Sequence, residues 1–212
     1  MARTLDGTAA LVTGASSGIG EATALLLAER GARVAIAARR KDRLDALVQK
    51  IDTAGGRALA IEADVTREED ARAAVDATVA AFGRLDTLVN NAGVMLLGPI
   101  VDADVTEWQR MLALNVQGLM YCTSAALPHL LHAAESEPRQ VADIVNVSSV
   151  AGRVARLNSG AYNASKFAVG AFSESLRQEV TKRHVRVSLV EPGAVTTELA
   201  SHNKPAIQDM MA

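Results

Sequence analysis

The chain has 212 residues, 49% hydrophobic and 22% charged, with 24 acidic side chains against 22 basic ones. That length can bury one sizeable core, and a net charge of −2 excludes a general polyanion-binding surface, so neither nucleic acid nor an anionic membrane is an expected partner. One cysteine, Cys122, excludes an internal disulfide framework and fits a reducing cytoplasm, and no apolar stretch is long enough to span a bilayer.

Met1 to Gly7 lead into the first apolar run without a signal-peptide core. Short apolar runs predict strands over 9–13, 33–38, 58–62, 87–90, 143–147 and 185–190. Between them, apolar residues at three- and four-residue spacing predict helices near 18–30, 41–54, 67–82, 104–132 and 160–183. Gly31 and the pair Gly55-Gly56 are expected C-caps. "ESEPRQ" (135–140) reads as a loop within one domain and not as a linker. Strands alternating with helices predict an α/β fold: a doubly wound, Rossmann-like parallel sheet in a single domain over 1–212.

The first strand runs into "GASSGIG", in which Gly14, Gly18 and Gly20 form G-x-x-x-G-x-G. A tight glycine turn between a strand and a helix N-terminus supplies backbone donors and a positive dipole end, so residues Gly14, Ser16, Ser17, Gly18, Ile19 and Gly20 are the expected pyrophosphate site. The second strand ends in "AARRKDR", placing Arg39, Arg40, Lys41 and Arg43 at a helix start. Cations are mildly unfavourable there unless an anion joins them. In dinucleotide folds an acid at this position accepts from a free ribose 2′-hydroxyl, whereas arginine suits a 2′-phosphate. Arg39, and secondarily Arg40, are therefore expected to select NADP(H) over NAD(H), with Ser17 adding a hydroxyl and with Lys41 and Arg43 pointing into solvent.

Ser148 and Ser149 end the fifth strand, on the sheet edge where such folds bind ligands. Tyr162 and Lys166 are four apart on a predicted helix, so their Cβ atoms lie roughly 5–6 Å apart on one face. An ammonium there is expected to lower a phenol pKa that is ordinarily about 10 and make Tyr162 a usable acid or base. Asn115 sits inside the apolar 104–132 pattern, where an asparagine is ordinarily a satisfied polar residue. None of His129, His132, His184 and His202 has metal-ligand spacing to Cys or acidic neighbours, so no metal is expected.

Together "GASSGIG", "ADVT" (63–66), "NNAG" (90–93), "YNASK" (162–166) and "EPGAVTTEL" (191–199) resemble the motifs of the short-chain dehydrogenase/reductases along nearly the whole chain. The resemblance implies that Asp64 and the Val65 backbone hold the adenine, and that Asn91, Ala92 and Gly93 close the fourth strand over the cofactor. It implies further that Pro192, Gly193, Val195 and Thr197 hold the nicotinamide end. By the same resemblance Ser149 orients the substrate oxygen, Tyr162 transfers the proton, Lys166 binds the nicotinamide ribose and tunes Tyr162, and Asn115 supports a proton relay. The implied activity is hydride transfer between NADP(H) and a small carbonyl or alcohol, in a homodimer or homotetramer. A catalytically silent dinucleotide sensor on the same fold is the rival; it would be expected to have lost the Tyr or the Lys. A larger sugar-nucleotide epimerase is disfavoured by the glycine spacing.

Segments 94–100, 152–160 and 194–212 are the expected substrate pocket. They resemble those of clavaldehyde dehydrogenase-like reductases, which act on a carboxylate-bearing aldehyde. Met95 is an expected substrate contact, and Arg153 or Arg156 an expected carboxylate clamp, although solvated loop arginines are the more ordinary reading. His202, Met210 and Met211 fall where a lid should be. Family members continue past this point through a further helix and strand, so the resemblance implies that the last strand–helix unit is missing and that 194–212 is a partial lid, with the sixth strand an unpaired edge.

Overall fold

A computed structural model of the chain describes residues 4–205, 207 and 208. Six apolar runs form the parallel strands β1 (Ala9–Thr13), β2 (Arg33–Ala38), β3 (Arg57–Glu62), β4 (Thr87–Asn90), β5 (Ala142–Val147) and β6 (Val185–Val190). They lie in the order β3-β2-β1-β4-β5-β6. β1 is buried at every residue because helices cover both faces of the sheet. Strand side chains alternate between those faces. Val12, Val34 and Ile36 meet Ala24 and Ala28 of α1 (Gly18–Glu29) and Leu44, Leu47 and Ile51 of α2 (Lys41–Thr53). Their neighbours Leu11 and Ala35 share the opposite core with α3 (Glu68–Phe82), α5 (Gly118–Ala134) and α6 (Gly160–Val180). Doubly wound packing is thus the architecture of the described residues, with β3 and β6 at its edges.

The helix expected over 104–132 is two helices. α4 (Val105–Leu112) and α5 are joined by a π-helical stretch, Ala113–Gln117. Asn115 explains the extra residue: its Oδ1 accepts from the Val94 N–H at 2.8 Å and its Nδ2 donates to the Val94 carbonyl at 2.9 Å. The side chain thereby completes a neighbouring loop where the backbone widens into the π-helical turn, a distortion that apolar periodicity does not register. Gly31 (φ 100°) and Gly55 (φ 80°) follow the ends of α1 and α2 in the left-handed conformation. No described helix is long and apolar enough to cross a membrane.

β1 stands between β2 and β4, and the chain winds in opposite directions from it. Such a reversal opens a crevice at the carboxyl ends of the strands. The Thr13 hydroxyl closes its floor by accepting from the Asn91 and Ala92 N–H groups, both at 3.1 Å. Behind it, buried Asn90 donates to Thr123 and Asn146, and Asn146 donates to Ser173, tying β4 and β5 to α5 and α6.

Candidate active site

The crevice is a cleft of ≈ 400 Å³ lined by the segments that follow β1, β2 and β3 and by those at the ends of β4, β5 and β6. Gly14, Ser16, Ser17, Gly18 and Ile19 line its middle. Arg39, Arg40, Asp64 and Val65 line one end, and Ser149, Tyr162 and Lys166 the other. Asn91, Ala92, Gly93, Pro192, Gly193, Val195 and Thr197 complete the wall.

Gly20 and Asn115 stand behind that lining. A Cβ on Gly20 would collide with Asn91 Nδ2 and would stand 2.6 Å from the Gly14 carbonyl oxygen, while one on Gly14 would stand 2.7 Å from Ala92 Cα. Both glycines are therefore required by the approach of the β4 loop to β1, where Asn91 Nδ2 donates to the Thr13 and Gly14 carbonyls at 2.9 and 3.1 Å. The turn chemistry expected for a phosphate is here also protein packing. Asn115 Nδ2 donates in addition to Ser165 Oγ at 3.1 Å, and Ser165 Oγ donates to the Tyr162 carbonyl at 2.8 Å. Asn115 thus braces the turn of α6 that carries Tyr162.

Ser149 caps the short 3₁₀ turn Val150–Gly152, and its hydroxyl hydrogen-bonds Tyr162. Ser148 donates to the Lys166 carbonyl at 3.2 Å, a structural bond. Lys166 Nζ donates to the Val147 carbonyl at 2.9 Å and lies 5.9 Å from the centre of the Tyr162 ring. Burial pushes the Lys166 ammonium down to about 8. Burial also pushes the Tyr162 phenol above its ordinary value, against the hydrogen bond from Ser149, which acts to lower it. The expected lowering of Tyr162 by Lys166 is therefore not what this chain by itself produces: desolvation of the phenolate outweighs the Ser149 hydrogen bond. Val94, Leu96, Met111 and Tyr162, with Met95 packed against them, form one apolar cluster, of which Val94 and Tyr162 reach the cleft.

The basic segment is arranged differently from expectation. Arg40, not Arg39, is bound to the glycine loop: its Nε and Nη2 donate to Ser16 Oγ at 3.1 and 2.9 Å, and Nη2 donates to Ser17 Oγ at 2.9 Å. Lys41 pairs with Asp45, and Arg43 pairs with Glu198, so neither simply points into solvent. Sequence reading missed Arg110 and Leu114 in the lining, and it covered Glu198 and Leu199 only as members of the 194–212 segment, without giving either a role. The pairing of Glu198 was not detectable in the sequence, because its arginine partners lie more than 150 residues earlier.

Met95, Arg153 and Arg156 are not brought into the cleft lining. Arg153 Nε donates to Glu191 at 2.7 Å, and Arg156 is exposed in a loop organised by Asn163, whose Nδ2 donates to the Ala151 and Val154 carbonyls. His202 does line the cleft, in the 3₁₀ turn Glu198–His202, whereas Met210 and Met211 lie outside the described residues. Burial pushes the Cys122 thiol up to about 12, which leaves it unreactive.

A family profile described as short chain dehydrogenase matches residues 8–208. An uncharacterised oxidoreductase of Staphylococcus saprophyticus is 38% identical over 195 residues, 91% of this chain and 76% of that one. One of Methylorubrum extorquens is 42% identical over 195 residues, 92% of this chain and 75% of the other. A short-chain dehydrogenase/reductase from Burkholderia phymatum, solved in complex with NAD, superposes with a TM-score of 0.88 at 32% identity, covering 96% of this chain and 73% of its own. A dehydrogenase/reductase from Sinorhizobium meliloti superposes with a TM-score of 0.85, also at 32% identity, over 93% of this chain and 76% of that one. Sequence and fold agree over nearly every described residue, and the chain belongs to the short-chain dehydrogenase/reductase family of oxidoreductases.

Proposed function

We propose that the chain transfers hydride between NADP(H) and a small to medium carbonyl or alcohol, with Tyr162 as general acid and base. The observation that carries this reading is the meeting of Ser149, Tyr162 and Lys166 at one end of a cleft whose other end carries Arg39 and Arg40. The residues fit a dinucleotide. α1 opens on the cleft without a side-chain cap bond from Ser17, which leaves its first N–H groups for a phosphate. Arg39 makes no ion pair among the described residues, and a free guanidinium suits a 2′-phosphate. When bound, the nicotinamide supplies or accepts the hydride.

The chain's own residues do the rest. Asp64 and Val65 hold the adenine end, Lys166 the nicotinamide ribose, and Pro192, Gly193, Val195 and Thr197 the nicotinamide. Ser149 holds the substrate oxygen against the Tyr162 hydroxyl. A phenol raised by burial keeps its proton at neutral pH, the state that donates to a carbonyl oxygen during reduction. Asn115 is a positioning residue, acting through Val94 and Ser165. The substrate faces the apolar side of the cleft at Val94, behind which Met95 packs, and an acidic aldehyde requires Arg156 to swing in from its exposed loop or Arg153 to leave Glu191, since neither lines the cleft. The proposal includes one domain over 1–212, a homodimeric or homotetrameric assembly, and a cytoplasmic setting.

The test is consumption of NADPH and of NADH against a panel of aldehydes and ketones that includes an acidic aldehyde and its methyl ester. Turnover with NADPH is expected, and Tyr162→Phe should lower it by about 10²–10⁴-fold with little change in cofactor affinity. Preference for NADH, the dinucleotide bound by the Burkholderia phymatum protein, would reject the NADP assignment. Binding without turnover across the panel would favour the silent sensor, and retention of most activity by Tyr162→Phe would reject its role.

A further inference from the structure

We propose that Glu198 discriminates between the two dinucleotides, by occupying Arg40, Arg43 and Ser17 in place of a nucleotide phosphate. The inference rests on the proposed 2′-phosphate site at the end of β2. Glu198 begins the 3₁₀ turn that follows Thr197, and its carboxylate reaches across the cleft. One oxygen accepts from Arg40 Nη1 at 2.9 Å, the other from Arg43 Nη1, and the Ser17 hydroxyl also bonds to it. These guanidinium and hydroxyl donors are of the kind that hold a phosphate. They hold the Glu198 carboxyl down to about 2, so the anion is present throughout the working pH range.

The contact is not an isolated surface pair. Arg40 bonds Ser16 and Ser17 with its remaining nitrogens, and a Cβ on Gly18 would stand 3.1 Å from Thr197 Cγ2. Residues 197–198 therefore rest on the glycine loop as a strap, fastened by the carboxylate. A nucleotide carrying a 2′-phosphate brings a second anion to the same donors. Like charges in one cluster repel, so that phosphate displaces Glu198 while Arg39, which has no competing carboxylate, grips it. A nucleotide with a free 2′-hydroxyl leaves the strap fastened. Glu198 thus weakens binding of the phosphorylated nucleotide selectively, by a factor set by a half-exposed ion-pair cluster.

Calorimetric titration with adenosine 2′,5′-bisphosphate and adenosine 5′-monophosphate isolates this end of the site from the nicotinamide. Glu198→Gln keeps the side chain's shape and removes its charge. It should tighten the bisphosphate by about three- to tenfold and leave the monophosphate unchanged. No gain for the bisphosphate, or the same gain for both nucleotides, overturns the inference. Arg39→Asp reports on the reading beneath it. If that variant loses the bisphosphate preference while Glu198→Gln gains nothing, the phosphate site stands and the strap falls. If the bisphosphate binds no tighter than the monophosphate in wild type and in both variants, the phosphate site and the strap fall together.

Discussion

Lys166 concentrates the conflict between stability and chemistry in one side chain. Its ammonium is buried at the end of the cleft with the Val147 carbonyl as its hydrogen-bond partner, and burial lowers its pKa from 10.5 to about 8. Between those values the unfolded chain binds the proton that the folded chain has released, so stability rises with pH from 8 to 10.5. Below pH 8 the folded chain carries the full cost of the buried charge. Lys166→Met should therefore raise the melting temperature of the nucleotide-free protein at pH 7 by about 2–4 °C for each kcal/mol relieved, less the cost of the abandoned Val147 carbonyl. Its advantage over wild type should shrink as pH approaches 10. Thermal scans at pH 7 and pH 10 check this, and an equal difference at both would show that the ammonium is not destabilising. The Tyr162–Lys166 pair was legible from four-residue spacing, whereas the direction of the Tyr162 shift was not. Spacing reports proximity, and only the packed surroundings set how strongly the phenolate is desolvated.

Among the elements, the glycine loop joins two demands on the same residues. Gly20 lies on the first turn of α1, against Asn91 Nδ2 and the Gly14 carbonyl. Gly20→Ala forces a methyl group against these atoms, so it should destabilise the protein by about 1–3 kcal/mol even without nucleotide. Urea unfolding of the nucleotide-free variant measures this. Unchanged stability would assign Gly20 to the ligand and not to packing of α1 against the β4 loop. The motif itself was legible, because a strand, a glycine turn and a helix follow one another directly. Its second partner, Asn91, was placed in the site by resemblance, and its bonds to Thr13 and Gly14 join positions 77 and 78 residues apart. The π-helical stretch at Asn115 escaped for a related reason. Apolar spacing continues through it, and the cause is the Val94 backbone beyond the end of β4.

At the scale of the molecule, the cleft exists because the connections leaving the paired strands β1 and β4 run in opposite directions at the centre of the sheet, and a ligand seated there joins both halves. A dinucleotide at 100 times its Kd should stabilise the chain by about 2.7 kcal/mol, if it binds only the folded state. At about 2–4 °C per kcal/mol for a chain of this size, the melting temperature should rise by about 5–10 °C. Thermal shift with NADPH and with NADH tests this, and no shift with either at saturation would exclude the cleft as a dinucleotide site. By itself the sequence determined the strands, their parallel doubly wound arrangement, the glycine turn and the Tyr162–Lys166 face. All of these follow from local periodicity, turn chemistry and the short reach of helix spacing. Only the tertiary structure decided that Arg40 binds the glycine loop, that Arg153 is engaged by Glu191, and that Glu198 fastens a strap over the cleft. Ion pairs and hydrogen bonds between side chains 23 to 158 residues apart carry no signature along the chain. Their geometry exists only once the sheet has brought the loops at its carboxyl edge within reach of one another.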